Sequence, residues 1–268
     1  MFSPFFLWIF RASACFLVLC VASLFDLRER EIPDKVWLLS GPPLAFLTAL
    51  SLALGHEPIW PTAISMLLSF AIGLLVYFSG LAGGADAKTM FFLAIACPIN
   101  HLEPALASHV MLPLASFSNS LLFSSLSSLA LLIKNLAWKL RTGRGLFEGF
   151  ERVSPLTKAL VLISGYKMRA GDLAKAKFVF PLEVLVEEKG RLVRQLVLVV
   201  RLREGEEVLN LKKALDLGLL SEEDYVWVSP GLPLVVFLTA GFLTAIFLGD
   251  LLFLLVLSVL NALFRLRA

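Results

Sequence analysis

The chain has 268 residues, of which 58% are hydrophobic and only 17% charged, with a mean hydropathy of +0.84. So little polar surface cannot cover a water-soluble globule, which places the chain in a membrane. The net charge is +3, and 17 of the 24 Lys/Arg residues fall between Lys134 and Lys213; this clustering suits cytoplasmic loops beside apolar spans and excludes a nucleic-acid footprint.

Crossing about 30 Å of hydrocarbon takes about 20 helical residues, so charge-free runs mark the spans. The first is Ala12 to Phe25, extendable back through Arg11 to Phe5 if Arg11 snorkels to the outer interface. No small-residue cleavage site precedes the Asp26-Leu27-Arg28 turn, so this run is expected to be a retained helix. Val36 to Leu54, Pro58 to Ala85, the shorter Thr89 to Leu102, Pro104 to Ile133 and Tyr225 to Gly249 follow, making six expected spans. The segments with Arg28, Arg30 and Lys35, with Lys88, and from Lys134 to Lys213 fall on one side, which the positive-inside rule makes cytoplasmic, with the N-terminus outside. Arg265 and Arg267 are the exception, and the run from Leu251 to Phe264 either extends the last helix or lies along the interface.

The expected fold is thus an all-α polytopic membrane protein of about six transmembrane helices, with a small α+β cytoplasmic insertion before the last helix. Residues 1–133 make a membrane domain of five helices, 134–224 the cytoplasmic region, and 225–268 the last helix and tail. Within the insertion, Phe147 to Met168 suits an interfacial helix, and Phe178 to Glu188 with Arg191 to Glu204 form a hairpin around Glu188-Lys189-Gly190. Glu206 to Leu217 reads as helix, and Ser221 to Asp224 as a capped helix start or an acidic turn.

Cys15, Cys20 and Cys97 lie in apolar runs with no CxxC, so they are expected to be buried hydrophobes and not a disulfide or zinc framework. His56, His101 and His109 lie near the external side without metal-ligand spacing, so no metal or other cofactor is expected. Glu57 and Glu103 are expected to face external water, and Asp250 falls at the outer face.

Two aspartates fall at helix ends on the same cytoplasmic face. Asp26 closes the first span, and Asp86 follows the third in Gly83-Gly84-Ala85-Asp86-Ala87-Lys88. A carboxylate at that depth is costly, which makes the pair a functional candidate. Two neighbouring carboxylates do not both ionise easily, so one can take a proton from water while the other donates to a scissile carbonyl oxygen. Gly83 and Gly84 would let backbone approach a substrate strand closely. The bland alternative pairs Asp26 with Arg28 or Arg30 and makes Asp86 a helix cap. Lys88, two residues on, would either favour an ionised carboxylate or anchor lipid phosphate.

These segments resemble the paired motifs of the GxGD-type aspartic proteases, in particular the archaeal type IV prepilin and preflagellin peptidases. Asp26, Arg30 and Ile32-Pro33-Asp34 are similar to the first motif, and Gly83 to Lys88 to the second, with Ala85 where the strict motif has Gly. Trp227-Val228-Ser229-Pro230 resembles the segment that leads into the family's last helix, so the likeness covers about residues 10–250. The resemblance implies an endopeptidase with Asp26 and Asp86 catalytic, acting on pilin-like or archaellin precursors whose short basic leader precedes an apolar helix. Asp34, Glu29 and Glu31 would form a partly acidic rim for that leader. Related bacterial enzymes that methylate the new N-terminus carry a CxxC-bearing domain; lacking it, this chain is expected to be a protease without methyltransferase activity. Two other classes stay open: a transporter or channel with Asp26 and Asp86 as an ion or proton site, and an assembly platform built on residues 134–224.

Overall fold

The computed structural model describes residues 3–78, 83–106, 111–173, 175–188, 191–197, 214–215, 217–218 and 220–265. They divide into two compact units, 1–124 with 233–268, and 125–232. The first unit is helical: α1 (Pro4–Arg28), α2 (Asp34–Ala53), α3 (Ile59–Phe78), α4 (Gly84–Ala96), the start of α5 (Leu112–Thr142), α7 (Leu234–Phe247) and α8 (Leu251–Arg265). Ser3 caps α1 by accepting from the Phe6 amide, with Pro4 preset at the first helical position. Four helices, α1, α2, α3 and α5, are long and apolar enough to cross a membrane, and α7 with α8 makes a fifth if the bent pair counts as one span.

The span expected over Thr89 to Leu102 is instead the 13-residue α4, about 20 Å long and too short to cross the hydrocarbon alone. At the C-terminal end, α8 neither continues α7 nor merges with it, because the chain bends by 70° between them. The break is built from polar groups: Asn119 donates to the Gly249 carbonyl and accepts from the Leu251 amide, while Asp250 accepts from Ser118 Oγ and the Phe253 amide. Gly249, at φ 91°, supplies a left-handed turn that side chains rarely adopt.

Hydrophobic transfer does not drive helices together in lipid, so close packing and hydrogen bonds must. Trp8, Leu19, Phe92, Leu93, Leu112 and Phe242 form the shared core of α1, α4, α5 and α7. At the α5–α7 crossing a Cβ on Gly241 would sit 2.3 Å from the Ser116 carbonyl oxygen, so only glycine permits that approach. Outward-facing Leu38, Leu39, Leu67 and Leu75 remain exposed, as a lipid-facing surface requires.

Two expectations about the outer side are corrected. Arg11 does not snorkel: it is fully buried, donating from Nε to the Ala96 carbonyl and pairing with Glu57 at 2.6 Å. Glu57, in the loop between α2 and α3, does not face water and is 4% exposed. His101 lies 3.5 Å from Glu57 and packs against the Trp8 ring. A charge in hydrocarbon is costly, and pairing across three chain segments offsets that better than stretching one side chain toward an interface. Glu103 is exposed.

The second unit holds the rest of α5, α6 (Pro155–Ser164), β1 (Tyr166–Arg169), β2 (Val179–Pro181), β3 (Glu183–Glu188), β4 (Arg191–Leu196) and β5 (Tyr225–Pro230). β5 is the centre of an antiparallel sheet ordered β1-β5-β2, and β3 pairs with β4 as a hairpin, Glu188 opposite Arg191. The stretch from Tyr225 is therefore not the start of a span. Val226, Trp227 and Val228 are all fully buried, and a strand covered on both faces reads in sequence as a continuous apolar run. Likewise the helix expected over Phe147 to Met168 is confined to α6, because Gly165 ends it and Tyr166 turns into β1. Most of the helix expected over Glu206 to Leu217 lies outside the described residues, and Ser221 to Asp224 is a turn closed by the Asp224 carboxylate on the Ser221 amide.

Candidate active site

Asp26 lies in the last turn of α1 and is 7% exposed. Its Oδ2 accepts from the Val235 amide at 3.1 Å, and its Oδ1 is 3.8 Å from the Arg30 guanidinium. Both contacts have a local cause. α7 starts after Pro233, which has no side chain able to cap, so its first amides need an acceptor from elsewhere and Asp26 supplies one. Arg30 follows the α1 C-cap at φ 57°, a left-handed position usually taken by glycine, and this turn brings its side chain back over Asp26. Ser23 and Thr239, hydrogen bonded at 2.7 Å one turn away, join α1 to α7 beside this contact.

Asp86 lies in the first turn of α4, where Oδ2 accepts from the Gly83 amide at 2.8 Å. It stands within electrostatic reach of both Asp26 and Arg30. Two carboxylates and one guanidinium from separate helix ends thus share one neighbourhood.

The motif glycines do not act as turn formers. Neither Gly83 nor Gly84 has positive φ, and a Cβ on either would meet nothing nearer than 3.7 Å. A Cβ at Gly83 would be in ordinary contact with the Asp86 carboxylate, and one at Gly84 with the Tyr77 ring. Ala85 has ordinary helical backbone and packs against the Ile32, Val235 and Ala22 cluster, so a methyl in place of the strict motif's glycine distorts nothing. Residues 79–82, which carry the start of that glycine-rich stretch, lie outside the described residues.

Lys88 reaches Asp34, not Asp86: the two form an ion pair at 2.5 Å between side chains 47% and 66% exposed. Glu29 is the C-cap of α1, and it and Glu31 are exposed. Sequence reasoning missed the Val235 amide as a partner of Asp26; the only local signal was a proline at the start of an apolar helix.

The chain is similar to known proteases over most of its length. The model of the type IV leader peptidase family matches residues 13–133, and that of the archaeal peptidase A24 C-terminus, type II, matches residues 157–251. A preflagellin peptidase of Methanococcus voltae is 25% identical over 244 residues, covering 87% of this chain and 93% of the relative. Preflagellin peptidases of Methanocaldococcus jannaschii and Methanococcus maripaludis are 24% and 22% identical, each over 87% of this chain and over 91% and 93% of their own lengths. The carboxylate pair lies at 26 and 86, inside the first matched region, and the Val235 amide that fixes Asp26 lies inside the second. The two matches, to the type IV leader peptidase model and to the archaeal peptidase A24 C-terminus model, thus meet in one neighbourhood.

Proposed function

We propose that this membrane protease is an aspartic endopeptidase that removes the basic leader from archaellin or pilin-like precursors at the cytoplasmic membrane face. The observation that carries the reading is that Asp26 and Asp86, from the ends of α1 and α4, fall within electrostatic reach of each other beside Arg30. Asp26, facing Arg30 and the N-terminal end of α7, takes the proton from the attacking water. Asp86 holds the shared proton and gives it to the scissile carbonyl oxygen as the tetrahedral centre forms. As that centre collapses, the leaving amine takes the proton that Asp26 gained from water and Asp86 takes one back from a hydroxyl of the tetrahedral centre, so the pair is reset for another water. Without side chains, Gly83 and Gly84 let the extended backbone of the substrate come close to Asp86. Proteolysis is the whole reaction, with no methyl transfer.

A transporter using the same aspartates is less well supported. The broken helix such a site would use, between α7 and α8, is the full 14 residues of α7 away from Asp26, about 21 Å.

The test is cleavage of a purified precursor by the protein in liposomes, with the product's new N-terminus identified by mass spectrometry. Asp26→Asn and Asp86→Asn should each abolish cleavage. More than a few per cent of wild-type turnover in either variant would remove the assignment.

A further inference from the structure

The second unit contains a basic recess that the peptidase reaction does not use. It has a volume of about 490 Å³ and is lined by Lys134, Arg141 and Lys167 together with Asn135, Trp138 and Tyr225. Among the described residues no carboxylate lines it. A neighbouring recess that shares Trp138, Lys167 and Tyr225 sets Glu148 and Asp224 against Arg144 and Arg194, so the excess of positive charge belongs to the first.

Lys167 is the residue that asks for a ligand. Its side chain is 5% exposed, and its closest carboxylate oxygen, Glu183 Oε1, is 3.9 Å away, beyond hydrogen-bond reach. Glu183 is already committed: Oε1 accepts from the Trp227 amide and Oε2 from two nitrogens of Arg194. The other close neighbours of the ammonium are the rings of Trp227 and Phe150, at 5.1 and 5.5 Å. One carboxylate therefore faces two cations. Among the described residues the ammonium makes no hydrogen bond, and it lines the recess, where an anion can take its N–H groups. Burial pulls Lys167 down to about 8, with Glu183 pulling the other way, so an anion in the recess would restore its charge.

The other walls suit a phosphate. Lys134 stands over the Tyr166 ring, and among the described residues neither it nor Arg141 has an ion-pair partner. Trp138 packs edge-on against Tyr225 at 5.2 Å, which fixes an aromatic wall. Lys134 is also the first charge on α5 after the uncharged stretch 112–133, and Arg141 follows seven residues later, about 10 Å along the axis. That rise spans the headgroup layer of about 5–8 Å beyond the hydrocarbon. We propose that this recess binds a glycerophosphate group, with Lys167, Lys134 and Arg141 around the phosphate and Trp138 beside the glycerol, and that its source is the headgroup of an anionic lipid.

The experiment uses the full-length protein in a neutral detergent and native mass spectrometry, titrating phosphatidylglycerol, phosphatidylcholine and glycerol 1-phosphate separately. Phosphatidylglycerol should be retained and phosphatidylcholine should not. Each cation near the phosphate is worth about fivefold, so Lys134→Gln with Arg141→Gln should lower the affinity by at least about tenfold. Arg152→Gln with Lys175→Gln removes the same charge from exposed positions elsewhere in the unit and should leave it unchanged. Lys167→Met keeps the Glu183–Arg194 pair and should also lose binding. Displacement of the lipid by millimolar glycerol 1-phosphate would identify a soluble phosphate as an alternative source for the same site. Equal affinity in wild type and in Lys134→Gln/Arg141→Gln, equal losses in both paired variants, or no binding of any probe would overturn the site.

Discussion

Each end of α1 buries a charge, and the two are handled differently. Arg11 meets Glu57 at 2.6 Å with both side chains sealed from solvent. Asp26, 15 residues and about 22 Å further along the helix, meets Arg30 only at 3.8 Å, with 11% of its side chain and 23% of the arginine's accessible. A closed pair of this kind, with both side chains at 0% exposure, is out of reach of water, and breaking it strands an ion in a low dielectric. A loose pair tied to a backbone amide leaves the carboxylate partly accessible, 11% of its side chain. On the proposed reading, the Arg11 end of α1 is a fastening and the Asp26 end is the working end.

The sharpest way to break this comparison is at the working end. Asp26→Asn keeps an oxygen for the Val235 amide and so should keep the fold, yet it and Asp86→Asn should each lower precursor cleavage by about two to four orders of magnitude. Circular dichroism and thermal melting of the same samples should stay close to wild type.

The fastening should behave in the opposite way. Arg11→Leu or Glu57→Leu alone should cost about 3–5 kcal/mol of stability, measured by chemical unfolding in detergent, while the double variant should recover most of it. Burial pushes the Glu57 carboxyl up, but His101 and Arg11 outweigh burial and hold it below its ordinary value. A depressed folded-state value means this contribution is present above the unfolded carboxyl range near 4.5 and is lost as pH falls through the folded value. Stability curves of wild type and double variant should therefore converge in acid; parallel curves would show that Glu57 does not hold this end.

A smaller effect is expected at the rim. Reversing Asp34→Lys should raise KM for a basic-leader precursor about fivefold at low salt, and the penalty should vanish for a precursor whose leader is neutralised. Equal rates for both precursors on both enzymes would remove Asp34 from leader recognition. Smallest of all, Lys88→Met breaks only an exposed pair and should change stability by less than about 1 kcal/mol. Because Lys88 reaches Asp34 and not Asp86, the acidic limb of the pH–rate profile should not move.

Sequence alone determined the membrane setting, the helices α1, α2, α3 and α5, the β3–β4 hairpin and the two aspartate motifs, because these rest on local composition and spacing. A charge-free run of about 20 residues or an alternating strand is written in neighbouring positions. It did not separate a buried strand from a membrane span at Tyr225 to Pro230, since both are continuous apolar runs and differ only in what covers them. Nor did it foresee that Arg11 would find Glu57, Lys88 find Asp34, or Asp26 find the Val235 amide, partners 46, 54 and 209 residues away. Arg11 and Glu57 read as reaching interface or water, Lys88 as serving Asp86 or lipid phosphate, and Asp26 as meeting Asp86 or a nearby arginine, because a linear chain shows no other partners. Only the tertiary structure decides otherwise: burying an ion is affordable where folding delivers a countercharge or an orphaned helix amide to the same point.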